Sequence, residues 1–147
     1  MKICVVSDTH GDLDILEKIY QLNPECNIYL HLGDSLLDEH YLNHFVGVRG
    51  NCDHFSNLPD YRIISTPSGN IYAEHGHIHG RGSINLLKKY ECKVYLYGHT
   101  HIHRLENMDG FYFANPGSCS YPRDGTSGTY LIIDIENDKI NFEFKEI

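Results

Sequence analysis

A chain of 147 residues with 41% hydrophobic content reads as one domain over 1–147, able to bury a core without disulfide staples. Its formal net charge of −8, from 12 Lys+Arg against 20 Asp+Glu, disfavours a basic groove for duplex nucleic acid and disfavours attraction to an anionic membrane. The 5 cysteines are widely spaced and include no Cys-x-x-Cys pair, which argues against a disulfide framework or zinc knuckle and for reduced thiols in a cytoplasm.

From the N-terminus, residues 2–7 read as a fully buried strand, because Ile3, Val5 and Val6 form a short apolar run before a polar turn. That run is too short for a signal peptide, and no stretch approaches membrane-spanning length. Asp14, with Glu17 three residues on, predicts a helix cap; Leu13, Leu16, Ile19 and Tyr20 share its apolar face and Pro24 closes the segment. Residues 28–32 predict a strand, about 36–44 a short helix, and 45–49 a strand. This alternation implies parallel pairing with right-handed crossovers.

The middle changes character. Residues 61–66 and 70–74 flank Pro67-Ser68-Gly69 and predict a hairpin. Residues 83–90 fit a helix capped by Ser83, with Lys88 and Lys89 near its end, and 93–97 fit a strand. The remainder looks antiparallel: 103–107 turns into 111–114, and 129–135 into 139–145. In the last segment Ile140, Phe142 and Phe144 alternate with Asn141, Glu143 and Lys145, so one face is buried and one wet.

Five strand-like runs end in residues able to bind metal: Asp8-Thr9-His10, Gly33-Asp34, Gly50-Asn51, His75-Gly76-His77 and Gly98-His99-Thr100-His101. Side chains beyond the carboxyl ends of adjacent strands in an α/β sheet point into one crevice. Taken singly, each has a plainer explanation: Asp-x-His is usually a strand-end turn, Gly-Asp a common turn dipeptide, Asn51 a left-handed turn residue, and a lone His a packed one. Their joint order reverses the balance and points to a polynuclear metal centre. In it Asp34 could bridge two cations, leaving positions for water and substrate.

The ordered series Ser7-Asp8-Thr9-His10-Gly11, His31-Leu32-Gly33-Asp34, Gly50-Asn51-Cys52-Asp53, His75-Gly76-His77, Gly98-His99-Thr100-His101 and Asn115-Pro116-Gly117-Ser118 resembles the calcineurin-like metallophosphoesterase superfamily, in particular its small bacterial and archaeal phosphodiesterase branch. The resemblance implies an α/β fold, a four-layer α/β/β/α sandwich with two mixed β-sheets. It implies one metal held by Asp8, His10, Asp34 and His101, and a second held by Asp34, Asn51, His75 and His99. The implied activity is hydrolysis of small phosphodiesters, with a hydroxide bridging the metals as nucleophile and in-line displacement at phosphorus. Mn is the first expectation for the pair of divalent ions, with Zn, Fe, Co or Ni as alternatives. A homodimer is an assembly the resemblance allows.

One position departs from the pattern. Many members carry Gly-Asn-His, where the His serves the phosphate or the leaving group; here Cys52 stands in that place, and a neutral thiol is a weak donor. His77 is the candidate replacement acid, with a structural role as an equal alternative. Asp53 is expected to orient a ligand or cap a turn. Arg123 is expected either to reach the phosphate or to form a surface ion pair, and His79 and His103 are expected to be exposed. Other patterns fit poorly. The metallo-β-lactamase series His-x-His-x-Asp-His lacks its Asp here. A cupin lacks its glycines and does not begin with βαβ alternation. The non-enzyme rival is a protein-interaction scaffold of the same fold, which one branch of the superfamily resembles after losing a ligand histidine; here every ligand position is filled.

Overall fold

The computed structural model describes residues 1–147, and its architecture follows from two apolar sheets with ligand-bearing loops gathered at one end. In chain order the elements are β1 (Lys2–Val6), α1 (Leu13–Leu22), β2 (Ile28–His31), a 3₁₀ turn (Glu39–Leu42), β3 (Phe45–Gly47), β4 (Tyr61–Ile64), β5 (Asn70–Glu74), α2 (Ile84–Lys89), β6 (Cys92–Leu96), β7 (His103–Met108), β8 (Phe111–Pro116), β9 (Thr129–Glu136) and β10 (Lys139–Glu146). The first sheet has the order β10-β9-β1-β2-β3 and the second β4-β5-β6-β8-β7. Both are mixed: β1, β2 and β3 run parallel with β9 antiparallel to β1, while β5, β6 and β8 run parallel with β4 and β7 antiparallel at the edges.

The sheets face each other across a core in which Ile3, Val5, Leu30 and Leu131 of the first meet Ile71, Val94, Leu96 and Ala114 of the second. The opposite face of the first sheet packs Val6, Tyr29 and Ile132 against Leu16 and Ile19 of α1. The opposite face of the second packs Tyr72, Tyr95 and Phe113 against Leu87 of α2. The result is the four-layer α/β/β/α sandwich. Central strands are apolar on both faces because both faces are covered, and at about 25 cal/mol per Å² this burial dominates the fold's stability.

Local details depart from the sequence expectations in three places. The cap of α1 is Asp12, whose side chain accepts from Ile15 N–H at 3.1 Å, so Asp14 lies inside the first turn, where its charge suits the helix dipole. The helix expected over 36–44 is a single 3₁₀ turn, because Leu36 (φ 55°) and Asn43 (φ 54°) bracket it with left-handed backbone that an α-helix cannot include. The expectation of an antiparallel C-terminal third holds for β7–β8 and β9–β10, but β8 also joins β6 in parallel and β9 lies between β1 and β10. Adjacent-hairpin reasoning sees the turns but not those long-range pairings.

Candidate metal centre

Six loops leave the carboxyl ends of β1, β2, β3, β5, β6 and β8 at the same end of the sandwich, and backbone hydrogen bonds sew them together. Asp8 N–H donates to Gly33 O at 3.0 Å, His10 N–H to Asp34 O at 3.0 Å and Gly98 N–H to His75 O at 2.8 Å. Ser118 Oγ–H, from the loop after β8, donates to Asp8 O at 2.8 Å, and the Asn115 amide donates to Gly98 O at 2.8 Å and Thr100 Oγ1 at 3.0 Å.

This stitching brings two groups together. Asp8, His10 and His101 place their ligand atoms within 4.8 Å of one another, as do Asp34, His75 and His99. The groups abut: His75 Nε2 lies 3.2 Å from Asp34 Oδ2 and 3.8 Å from Asp8 Oδ1, and His10 Nε2 lies 4.0 Å from both Asp8 Oδ1 and Asp34 Oδ2. Each carboxylate is held by one oxygen. Asp8 Oδ2 accepts from Ser7 Oγ–H at 2.6 Å and from His99 N–H at 2.9 Å, while Oδ1 is buried without any partner. Asp34 Oδ1 accepts from Cys52 N–H at 2.8 Å, leaving Oδ2 toward the imidazoles.

The histidines follow the same plan. His75 Nδ1–H donates to Leu32 O at 2.7 Å and His101 Nδ1–H to Tyr121 O at 2.6 Å. A carbonyl only accepts, so in the neutral ring the lone pair sits on Nε2 and is aimed inward, free to take a proton or a cation. Nε2 of His75 and of His10 are buried with no partner. A lone pair 3.2 Å from a carboxylate oxygen is repulsive unless a positive charge lies between them. Nitrogen and oxygen donors with orphaned inward atoms fit a divalent cation of borderline softness.

The electrostatics carry the same signature. Burial pushes the Asp8 carboxyl up, but His101, His75 and the Ser7 hydroxyl outweigh it and hold the group below the usual carboxylate range. Asp34 is likewise raised by burial and drawn well below that range by His75 and the Cys52 N–H. Burial lowers His75, yet Asp34 and Asp8 carry it above the ordinary imidazole range; His101 is raised chiefly by Asp8. His99 is lowered by burial and by His75.

The remaining sequence candidates occupy the rim. Asn51 is exposed, and its amide nitrogen donates to Cys52 Sγ at 3.4 Å, leaving its oxygen uncommitted. Cys52 is half-buried with its thiol pushed up by burial and by Asp34, so it stays neutral. His77 is exposed, its ring 5.5 Å from that of His75. Asp53 is buried, its Oδ2 accepting from Asp34 N–H and Gly50 N–H at 2.7 Å each and its Oδ1 from Leu36 N–H at 3.0 Å. Arg123 is exposed without an ion pair, its N–H bonded to His101 O at 3.0 Å. His79 is exposed as expected and His103 is half-buried; they bond Glu74 and Asp124 at 2.8 Å and 2.7 Å. The motifs containing Ser7, His31, Asn115 and Ser118 gave these residues no role of their own, although Ser7, His31 and Asn115 are polar residues set against apolar runs and Ser118 follows a Pro-Gly turn.

The comparisons agree with this geometry. Residues 1–138 match the calcineurin-like phosphoesterase superfamily domain. The chain is 32% identical to the probable metallophosphoesterase YsnB of Bacillus subtilis, over 98% of this chain and 90% of that protein. It is 29% identical to the phosphodiesterase YfcE of Escherichia coli, over 91% and 88%. A crystal structure of a predicted phosphoesterase from Streptococcus pneumoniae superposes with a TM-score of 0.85 at 28% identity, covering 99% of this chain and 88% of that one. Vps29 from Chaetomium thermophilum shares the fold, with a TM-score of 0.77 at 20% identity over 100% and 95% of the two chains. With its sandwich, its inward-facing Asp and His side chains and a match over nearly its whole length, the chain belongs to the calcineurin-like phosphoesterase superfamily.

Proposed function

We propose that this chain is a phosphodiesterase that holds two divalent cations, Mn first, and hydrolyses small phosphodiesters. Asp8, His10, Asp34 and His101 form one site; Asp34, Asn51, His75 and His99 form the other. The observation that carries the reading is the pair of abutting His/Asp groups whose inward atoms, Asp8 Oδ1, His10 Nε2 and His75 Nε2, are buried without partners. Two such cations supply Lewis acidity toward phosphate oxygens and acidify water.

The chain's own residues supply position and proton handling. Ser7, the His99 N–H and the Cys52 N–H fix one oxygen of each carboxylate, so the other cannot rotate away when substrate arrives. Leu32 O and Tyr121 O lock the tautomers of His75 and His101. His77, exposed with its ring 5.5 Å from that of His75, is the candidate to protonate a departing alkoxide, with a structural role as the equal alternative. Cys52 remains a neutral thiol and adds at most a weak hydrogen bond, which favours diesters with acidic leaving groups. All five cysteines are unpaired, which supports a reducing, cytoplasmic setting, and no helix is long and apolar enough to cross a membrane.

The rival, an interaction scaffold with little or no catalysis, draws on the likeness of fold to Vps29 alone. Hydrolysis of bis(4-nitrophenyl) phosphate with added Mn²⁺ separates the two. The expected result is turnover that chelation abolishes and that His99→Ala reduces by about a hundredfold or more, on the scale of losing a group that stabilises the transition state. A fully metallated protein inert to monoesters, diesters and cyclic nucleotides would favour the scaffold.

A further inference from the structure

Beside the loops that carry Asp34 and Asn51 lies a cavity of about 390 Å³, walled by residues 36–39 after β2 and 52–57 after β3. Its walls are continuous with the centre, since Cys52 and Asp53, which bond Asp34, also line it. Three features set its chemistry. Phe55 opens onto it and is 100% exposed, an unusual state for an aromatic ring in a chain this size. Leu36 is held at φ 55° by the bond from its N–H to Asp53 Oδ1, and its side chain, 49% exposed, lines the same cavity. Asp38 and Glu39 bring two carboxylates to the rim, neither of which forms an ion pair, and no Lys or Arg lines the cavity.

We propose that this cavity receives one ester arm of the phosphodiester and that it selects an arm carrying an alkylammonium group, of the choline type. This rests on the phosphodiesterase reading and names the substrate class for it. An alkylammonium over the Phe55 face gains cation–π attraction, and its methyl groups cover Leu36. The carboxylates of Asp38 and Glu39 complement its charge, and the chain's overall −8 draws it in. An arm bearing a second phosphate meets the same carboxylates and is repelled. A plain aryl arm stacks on Phe55 but gives Asp38 and Glu39 nothing to bind.

The test compares 4-nitrophenyl phosphorylcholine with 3,3-dimethylbutyl 4-nitrophenyl phosphate, its uncharged isostere with the same leaving group. The expected result is a kcat/KM about tenfold higher for the choline ester, with the ratio falling toward one in Asp38→Asn/Glu39→Gln and in Phe55→Ala. Independently of turnover and of metal, choline added to the chelated protein should shift the Phe55 ring resonances, with weaker binding in Asp38→Asn/Glu39→Gln. Equal kcat/KM for the two esters, or a preference that persists in the double variant, would overturn the cavity assignment while leaving the phosphodiesterase intact. Failure to cleave either ester or bis(4-nitrophenyl) phosphate would instead sink the phosphodiesterase reading, and the substrate class with it.

Discussion

Five of the proposed ligands, Asp8, His10, Asp34, His99 and His101, hold backbone φ values between 45° and 70°. That region costs a residue with a side chain about 1–3 kcal/mol and persists only where surrounding contacts enforce it. Here the enforcement is visible: Asp8, His10 and Asp34 are bonded through Gly33 O, Asp34 O and Ser118 Oγ, His99 through its N–H to Asp8 Oδ2, and His101 through its carbonyl to Arg123 N–H. The strain turns side chains that would otherwise follow the strand toward a common point. Asp34→Asn is the cleanest probe of the proposed bridge. Asn tolerates left-handed backbone as well as Asp does, and its amide oxygen can still accept from Cys52 N–H. Only the charge is removed. Both sites should weaken together, each by on the order of a hundredfold or about 3 kcal/mol. Elemental analysis after gel filtration should then find less than one ion per chain. Loss of a single ion with the other retained would refute the bridge.

At the scale of elements, the centre depends on how closely neighbouring strand ends approach. A Cβ on Gly50 would sit 2.1 Å from Asp34 Oδ1, and one on Gly98 would sit 2.0 Å from Ser7 Oγ, so the loops after β3 and β6 reach the carboxylates only because these positions lack side chains. His31 pins the ends of β1 and β2 in a related way. Its Nδ1 accepts from Gly33 N–H at 3.1 Å, so the proton is on Nε2, which donates to Thr9 Oγ1 at 2.9 Å. Burial, only partly opposed by the carboxylates of Asp8 and Asp53, takes its pKa down to about 4. A histidine depressed in the folded state binds its proton first when unfolded, so stability is full above about pH 6.5 and is lost as pH falls toward 4. The loss amounts to about 3 kcal/mol. Urea unfolding of chelated protein at pH 7 and pH 4 should therefore show a drop larger by about that amount in wild type than in His31→Gln. Equal pH dependence in the two would show that His31 is not the group responsible.

The same scale separates what the sequence disclosed from what it hid. The β1–β2–β3 alternation, the Pro67-Ser68-Gly69 hairpin and the Ser83 cap were legible because each rests on local chemistry. The proposed ligand residues stand out in the sequence because each lies where an apolar run stops. The β6–β8 and β1–β9 pairings join segments far apart in the chain, and no local pattern encodes them. The roles of the residues tied to those pairings were hidden for the same reason: Asn115 and Ser118 act through β8 lying beside β6, with the loop that follows it against Asp8.

For the molecule as a whole, an acidic chain that buries Asp8 and Asp34 side by side carries an electrostatic cost that cations would offset. If the ligand set is assembled only in the folded state, metal affinity becomes folding free energy. At a hundredfold excess over Kd each site adds about 2.7 kcal/mol, so two sites add about 5 kcal/mol. For a chain near this length each kcal/mol moves Tm by about 2–4 °C, which places the Mn²⁺-loaded protein roughly 10–20 °C above the chelated one. Calorimetry is the suitable readout, since the chain has no Trp to report unfolding. His99→Ala, which keeps all four residues of the first site, should retain roughly half the shift. Mg²⁺ should give less at equal concentration, because imidazoles suit it poorly. A Tm unmoved by Mn²⁺ up to millimolar concentration would mean that the inward-facing Asp and His atoms are balanced by protons alone, and the two-cation proposal would fail with it.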